Sequence, residues 1–289
     1  MTSTLRILGY ALFLCASLSP LGWAPQATAE TTLDQLRKRG VVRLGFANET
    51  PFSYAAPDGT LAGVDYDVMK QVFEDLGIKK IEGVLTPFGS LIPGLKADRF
   101  DVIGTGLYIR PDRCKQAAFS EPTIVVGSAI IVPAGNPKKF HSFQDIAKAS
   151  TAKLGYIVGG TQSNATAGGV QNDQFVSFPD VLTAVSALKA GRIDAVLRTY
   201  IDAVQVVRQM ADAAIEVAEP FAMPLKDGKP MVNYIGFAFR PEDKELVSAF
   251  NEKLEKLLGS AEHAKILDKY KIGQQAYPPP LKTAAICGG

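Results

Sequence analysis

Along this chain, short continuous apolar runs alternate with stretches whose apolar positions fall three and four residues apart. Such runs are the mark of buried strands, and the wider spacing is that of amphipathic helices. Residues 33–39 read as a helix, opened by Thr32 and Gln35 as a capping box and stopped at Gly40. A strand over 41–47 follows and ends in the turn Asn48-Glu49-Thr50-Pro51-Phe52. Val64, Val68, Val72 and Leu76 then recur at helical spacing, with Phe73 beside them, as far as Gly77. A strand over 79–85 turns at Thr86-Pro87-Phe88 into a helix carrying Leu91, Ile92 and Leu95. Strands over 101–105 and 128–132 complete this first portion.

After Pro133 the alternation restarts with a helix over 143–149 and a strand over 153–158 that runs into Gly159-Gly160-Thr161-Gln162. Strand 175–178 precedes a helix over 179–189 with Val181, Leu182, Val185 and Leu188 turned inward. Strand 193–197, a helix over 200–210, an extended piece at 215–218 and strand 234–239 come next. Two helices then follow without a sheet of their own, from Pro241 through Leu257 and over 261–270. Strands alternating with helices predict α/β architecture, with parallel sheets covered on both faces. The closing helices imply a chain that leaves a first lobe near Val132 and returns near Ile235, giving two lobes joined by two crossings. Residues 30–131 with 236–289 form lobe 1, and 132–235 form lobe 2. Open α/β sheets bind ligands at the carboxyl ends of their strands. That rule points to Glu49 and Phe52; Phe88, the stretch from Gly104 through Tyr108 to Arg113, and Gly160 with Thr161 also follow predicted strands, although by themselves the aromatics read as core and the glycines as a turn.

Composition adds an address and removes several function classes. Arg6, an apolar run from Ile7 to Leu18 and Ala27-Thr28-Ala29 have the layout of a secretory signal peptide, so residues 1–29 are expected to be removed by cleavage near Ala29. A membrane anchor fits less well, because Pro20 and Pro25 interrupt a run already short for a bilayer. Lipidation at Cys15 lacks the small residue that should precede it, where Leu14 stands. The protein is therefore expected in the periplasm. Its 289 residues carry 31 basic and 29 acidic side chains. With no basic block, nucleic acid and anionic surfaces are excluded as partners. Without the leader two cysteines remain, Cys114 and Cys287, and an oxidising compartment predicts a disulfide between them, the alternative being two buried thiols. His141 and His263 are the only histidines and no metal-ligand spacing occurs, so neither a metal nor a cofactor is expected.

Arg113 stands five residues beyond Tyr108, where a guanidinium can take a carboxylate in a two-pronged hydrogen bond while the ring covers the rest of the ligand. The run Tyr108-Ile-Arg-Pro-Asp-Arg113, Phe119-Ser120-Glu121-Pro122, the opening Leu44-Gly45-Phe46 with Pro51-Phe52, and the run from Gly191 to Val196 together resemble the periplasmic polar amino-acid-binding proteins of ABC importers. The resemblance spans essentially the whole mature chain. It implies a two-lobed, type II (Venus-flytrap) periplasmic-binding fold with two hinge crossings. It also implies a small zwitterionic ligand in the interlobe cleft, inner-membrane ABC permease subunits as partners, and a monomer. Arg113, with the region of Thr161, would hold the ligand carboxylate. Glu49 and the faces of Phe52, Phe88 and Tyr108 would hold its cationic part, with Gly160 close by.

One departure bears on the ligand. In the α-amino-acid binders of this family the strand matching 194–197 leads to an aspartate for the ligand ammonium, whereas here Thr199 follows Arg198 and no anion is expected there. That feature, with Asn48-Glu49, Ile92-Pro93-Gly94-Leu95 and the two cysteine positions, resembles the ectoine and hydroxyectoine binders of compatible-solute importers. A polar amino acid held through Glu49 is the alternative ligand. In another class, Glu49 beside Arg113 could act as the base of an enzyme like the cyclohexadienyl dehydratases that share this fold, although no paired acid and base stand out. A sensor module of a membrane kinase would need a transmembrane segment after the domain, and the sequence offers none.

Overall fold

The computed structural model describes residues 30–288; the expected leader and its cleavage site lie outside them. Two five-stranded sheets organise the chain. In the first, the spatial order is Lys80–Leu85, Val41–Phe46, Val102–Ile103, Ala238–Phe239 and Ala118–Phe119. The first three strands are parallel, and Ala238–Phe239 enters antiparallel. The second sheet runs Phe175–Phe178, Leu154–Ile157, Ala195–Thr199, Ser128–Pro133 and Ile215–Val217. Again the first three are parallel, and Ser128–Pro133 runs antiparallel to both of its neighbours, Ala195–Thr199 and Ile215–Val217. Between the sheets Ile124–Val126 pairs antiparallel with Asn233–Ile235, so the outgoing and returning chain run side by side as the two expected crossings.

The strand Ser128–Pro133 corrects the sequence reading, which used it to close the first portion. It pairs with Ala195–Thr199 and Ile215–Val217 in the second sheet instead. Its alternate residues feed the two faces of that sheet: Ala129 and Ile131 join one core cluster, Ile130 and Val132 another. A strand buried on both faces reads as an unbroken apolar run whichever sheet receives it.

The helices without a sheet pack on the first one. Phe250, on helix Lys244–Leu257, lies 5.4, 5.2 and 5.1 Å from the rings of Phe73, Phe237 and Phe239. Edge-on aromatic packing of this kind adds to plain burial. Helix Thr32–Arg39 is capped by Thr31, one residue before the expected position, because the Thr32 hydroxyl instead donates to Asp243 at 2.6 Å. In helix Val181–Lys189 the buried residues are Ala184, Val185, Ala187 and Leu188, while Leu182, expected inward, is 62% exposed. The spacing of Val181, Val185 and Leu188 fixes the inner face, and Leu182 falls one step round the helix from it. Cys114 and Cys287 form the expected disulfide, which ties the C-terminal helix Thr283–Cys287 to the short helix Pro111–Cys114. Among the described residues no helix is long and apolar enough to cross a membrane.

Candidate ligand-binding cleft

The predicted strand ends converge. Glu49, Phe52, Phe88, Tyr108, Arg113, Gly160 and Thr161 all line one cavity of about 80 Å3. That is several times what one water needs, so the cavity can take a small solute.

Local structure explains how each side chain arrives. After strand Val41–Phe46, Asn48 takes a left-handed φ of 57° and its side-chain oxygen accepts from the Ala55 amide at 2.9 Å. The turn is closed by Phe52 and Ser53 amides donating to the Glu49 carbonyl at 2.8 and 3.1 Å. Glu49 and Phe52 are thereby presented on one rigid corner, both buried. Phe52 rests on Gly106, whose φ is 73° and where an added Cβ would sit 2.5 Å from the Phe52 ring. Only glycine fits both the backbone and the space there. The Gly106 amide donates to Asp65 at 2.7 Å. Asp65 is buried, and burial pushes its carboxyl up to about 7, against the lowering effect of that hydrogen bond.

Arg113 is 5% exposed. Its Nη1 donates to the Tyr108 carbonyl at 2.9 Å and its Nη2 to the Gly159 carbonyl at 2.8 Å, so it spans from the first sheet's loops to the second's. Its guanidinium carbon lies 5.8 Å from the centre of the Phe88 ring. Among the described residues no carboxylate forms an ion pair with it. Burial, with help from Arg110, lowers its pKa to about 10, which leaves it a cation at neutral pH. A buried cation without a counter-ion is costly, and an anionic ligand group would relieve that cost.

The second sheet supplies the opposite wall. Gly160 and Thr161 follow strand Leu154–Ile157, the Gly160 amide donating to Ile157 and the Thr161 hydroxyl to Ser163 at 3.0 Å. Gln162 stands at the N-terminal boundary of the next short helix, Ser163–Ala167, without a capping side-chain hydrogen bond, and does not line the cavity. At the end of strand Ala195–Thr199 the sequence reading needs correction, for an anion is present after all. Asp202, in the first turn of helix Tyr200–Met210, lines the cavity with Arg198 and Thr199. Arg198 pairs through Nε with Asp202 and through Nη2 with Glu49, across the cleft. All three side chains are at least nine-tenths buried. Burial alone would lower the Arg198 pKa, but the two carboxylates more than reverse that and hold it above its ordinary value. Burial pushes the Asp202 carboxyl up while Arg198 opposes the rise. Asp202 Oδ1 finds no hydrogen-bond partner among the described residues. Thr105, Gly106, Ser128, Tyr156, Ile157 and Leu197 complete the lining.

The cavity thus holds the Arg113 cation without a carboxylate partner among the described residues, two carboxylates sharing the Arg198 guanidinium, and the side chains of Phe52, Phe88 and Tyr108. A signal for the missed pair was present in the sequence. Asp202 falls on the helix face that carries Ala203 and Val206, which is buried, and Arg198 stands four residues before it. An acid on a buried helix face normally has a cation in reach.

Comparison with known proteins places these features in context. Residues 42–274 match the family described as bacterial extracellular solute-binding proteins, family 3. A probable amino-acid ABC transporter periplasmic-binding protein, y4tE, of Sinorhizobium fredii is 37% identical, over 89% of this chain and 85% of its own. The crystal structure of EhuB in complex with hydroxyectoine is 33% identical with a TM-score of 0.79, covering 89% of this chain and 97% of that one. A cyclohexadienyl dehydratase of Pseudomonas aeruginosa is 28% identical over 65% of this chain and 70% of its own. The two sheets and paired crossings described above are the type II, two-lobed periplasmic-binding fold.

Proposed function

The chain belongs to the bacterial extracellular solute-binding proteins of family 3, and on that premise we propose that it is the periplasmic binding component of an ABC importer for ectoine or hydroxyectoine. The observation that carries this reading is Arg113, a buried guanidinium with no carboxylate partner among the described residues, in the same cavity as the Glu49–Arg198–Asp202 cluster and walled by Phe52, Phe88 and Tyr108. Arg113 takes the ligand carboxylate, with Gly160 and Thr161 beside it. The aromatic faces and Glu49 take the delocalised cation, which such faces attract more readily when it is weakly hydrated. The hydroxyectoine complex of EhuB supports this choice.

A polar amino acid is the second reading. It is favoured by Asp202, an acid near where the sequence suggested none, and by the relative named as a probable amino-acid-binding protein. A dehydratase-like activity comes third, since a relative at 28% identity carries that name. The lobe limits belong to the same proposal. With Ser128–Pro133 in the second sheet, the first limit moves from 131/132 back to the junction after Val126, and the return stays near Ile235. The mature protein works as a monomer that delivers its solute to inner-membrane permease subunits after the leader is removed.

Calorimetric titration of the purified mature protein tests the reading. Ectoine or hydroxyectoine should bind more tightly than glutamine or arginine. Tight binding of an α-amino acid with none of ectoine would transfer the assignment to the second reading, and formation of aromatic product from prephenate or arogenate would transfer it to the third.

A further inference from the structure

Four charged side chains line the cavity: Arg113 and Arg198, Glu49 and Asp202. Arg113 has no carboxylate of its own among the described residues, whereas Arg198 is engaged by two. One guanidinium against two carboxylates leaves that end of the cavity with a single net negative charge, and the unpartnered Asp202 Oδ1 marks where it can accept a further donor. We propose that Arg198 determines the net charge of the solute this cleft accepts, acting as a resident cation so that the remaining charges balance a net-neutral zwitterion and disfavour a solute with an additional positive charge.

The inference rests on the zwitterion reading of the cleft and deepens it. Charges on side chains this buried must be compensated among themselves or by the ligand, because little solvent screening reaches them. A ligand with one carboxylate and one cation uses Arg113 and the residual negative charge, and nothing is left over. A second ligand ammonium would compete with the Arg198 guanidinium for the same two carboxylates, placing like charges together in a buried site. Removing the Arg198 charge would instead leave both carboxylates to the ligand and favour a solute of net charge +1. Removing the Asp202 charge would neutralise that end and favour a solute of net charge −1. A residue that only latched the two walls together would weaken every ligand alike.

The test measures binding of ectoine, L-glutamine, L-arginine and L-glutamate to the full mature protein by calorimetry near neutral pH. The wild type should prefer a net-neutral probe. Arg198→Gln should shift the ratio of arginine to neutral-probe affinity about tenfold or more toward arginine, and Asp202→Asn should shift the ratio for glutamate similarly. The double variant, with Glu49 alone at that end, should return the preference to the neutral class. Should Arg198→Gln fail to fold around two unpaired carboxylates, Asp202→Asn and the charge-balanced double variant carry the test. Affinities that fall in parallel for all probes in Asp202→Asn, with no return of preference in the double variant, would overturn the inference and leave Arg198 a structural tie. A wild type that binds arginine as tightly as a neutral probe would overturn it too, while one that binds none of the four would remove the zwitterion reading itself.

Discussion

Arg113 keeps a cation in a place that is 5% exposed with only two carbonyls to receive its donors. Replacing it with alanine leaves a bound carboxylate desolvated and unpaired, so ligand binding should weaken by at least ~2 kcal/mol, about thirtyfold. Calorimetry on Arg113→Ala checks this, and retained affinity would make the arginine a bystander. Asp65 sits in the first turn of helix Val64–Asp75, where an anion is ordinarily welcome, yet burial still lifts it to about 7. Because its folded value exceeds the unfolded one, near 3.8, the native state holds the extra proton between them. The stabilisation is complete below about pH 4 and is lost as pH rises through 7, with a slope of at most ~1.4 kcal/mol per pH unit. Asp65→Asn should flatten that slope in urea titrations at pH 5 and 8, and an unchanged difference between the two would refute it. At this scale the sequence exposed Arg113, the aromatics and Glu49, because each ends a strand or follows a local turn. It hid the Arg198–Glu49 pair, whose members are 149 positions apart and whose meeting depends on how two sheets are brought together.

Among the elements, the short helix Pro111–Cys114 carries Arg113 into the cleft and is held from behind by Cys287. The Thr283 amide also donates to Glu121 at 2.9 Å, so the tail has a second attachment nearby. A bridge across 173 positions removes much freedom from the unfolded chain. Cys114→Ser with Cys287→Ser should therefore lower the unfolding free energy by about 2 to 5 kcal/mol. Denaturant titration reads the loss. Ligand affinity should change far less, since the Tyr108 and Gly159 carbonyls still orient the guanidinium. Element type was largely legible here: the apolar spacing of helix Lys244–Leu257 and the stop at Gly40 follow local chemistry. Sheet membership was not, as Ser128–Pro133 shows, because an apolar run says that a strand is buried and not between which neighbours. Leu182 failed for a related reason: an apolar side chain next to a buried helix face does not have to lie on it.

On the scale of the whole molecule, the walls of the cleft touch. A Cβ added at Gly159 would lie 2.4 Å from the Gly89 Cα, and Arg113 and Arg198 each bond across the gap. An open arrangement forfeits these contacts, and a solute reaching both walls favours the closed one by what it gains there alone. Saturating ligand should thus lower the radius of gyration in small-angle scattering; superimposable curves with and without it would count against closure by hinge motion. The two-lobed plan was readable from the order of strands and helices, but the closeness of Gly89 and Gly159 was not, since nothing local marks two glycines as facing each other.

The sharing of Arg198 between Glu49 and Asp202 has one more consequence. With Arg113 added, the four side chains cancel, so the cleft presents no net monopole to the surrounding solution. A net-neutral solute approaching it feels no long-range attraction that mobile ions could weaken, and the charges it finally meets lie where a Debye atmosphere barely reaches. Capture should then proceed at nearly the same rate from about 0.05 to 1 M salt, so that stopped-flow association constants vary little over that range. On this charge balance, solute capture is expected to continue as the medium becomes brine.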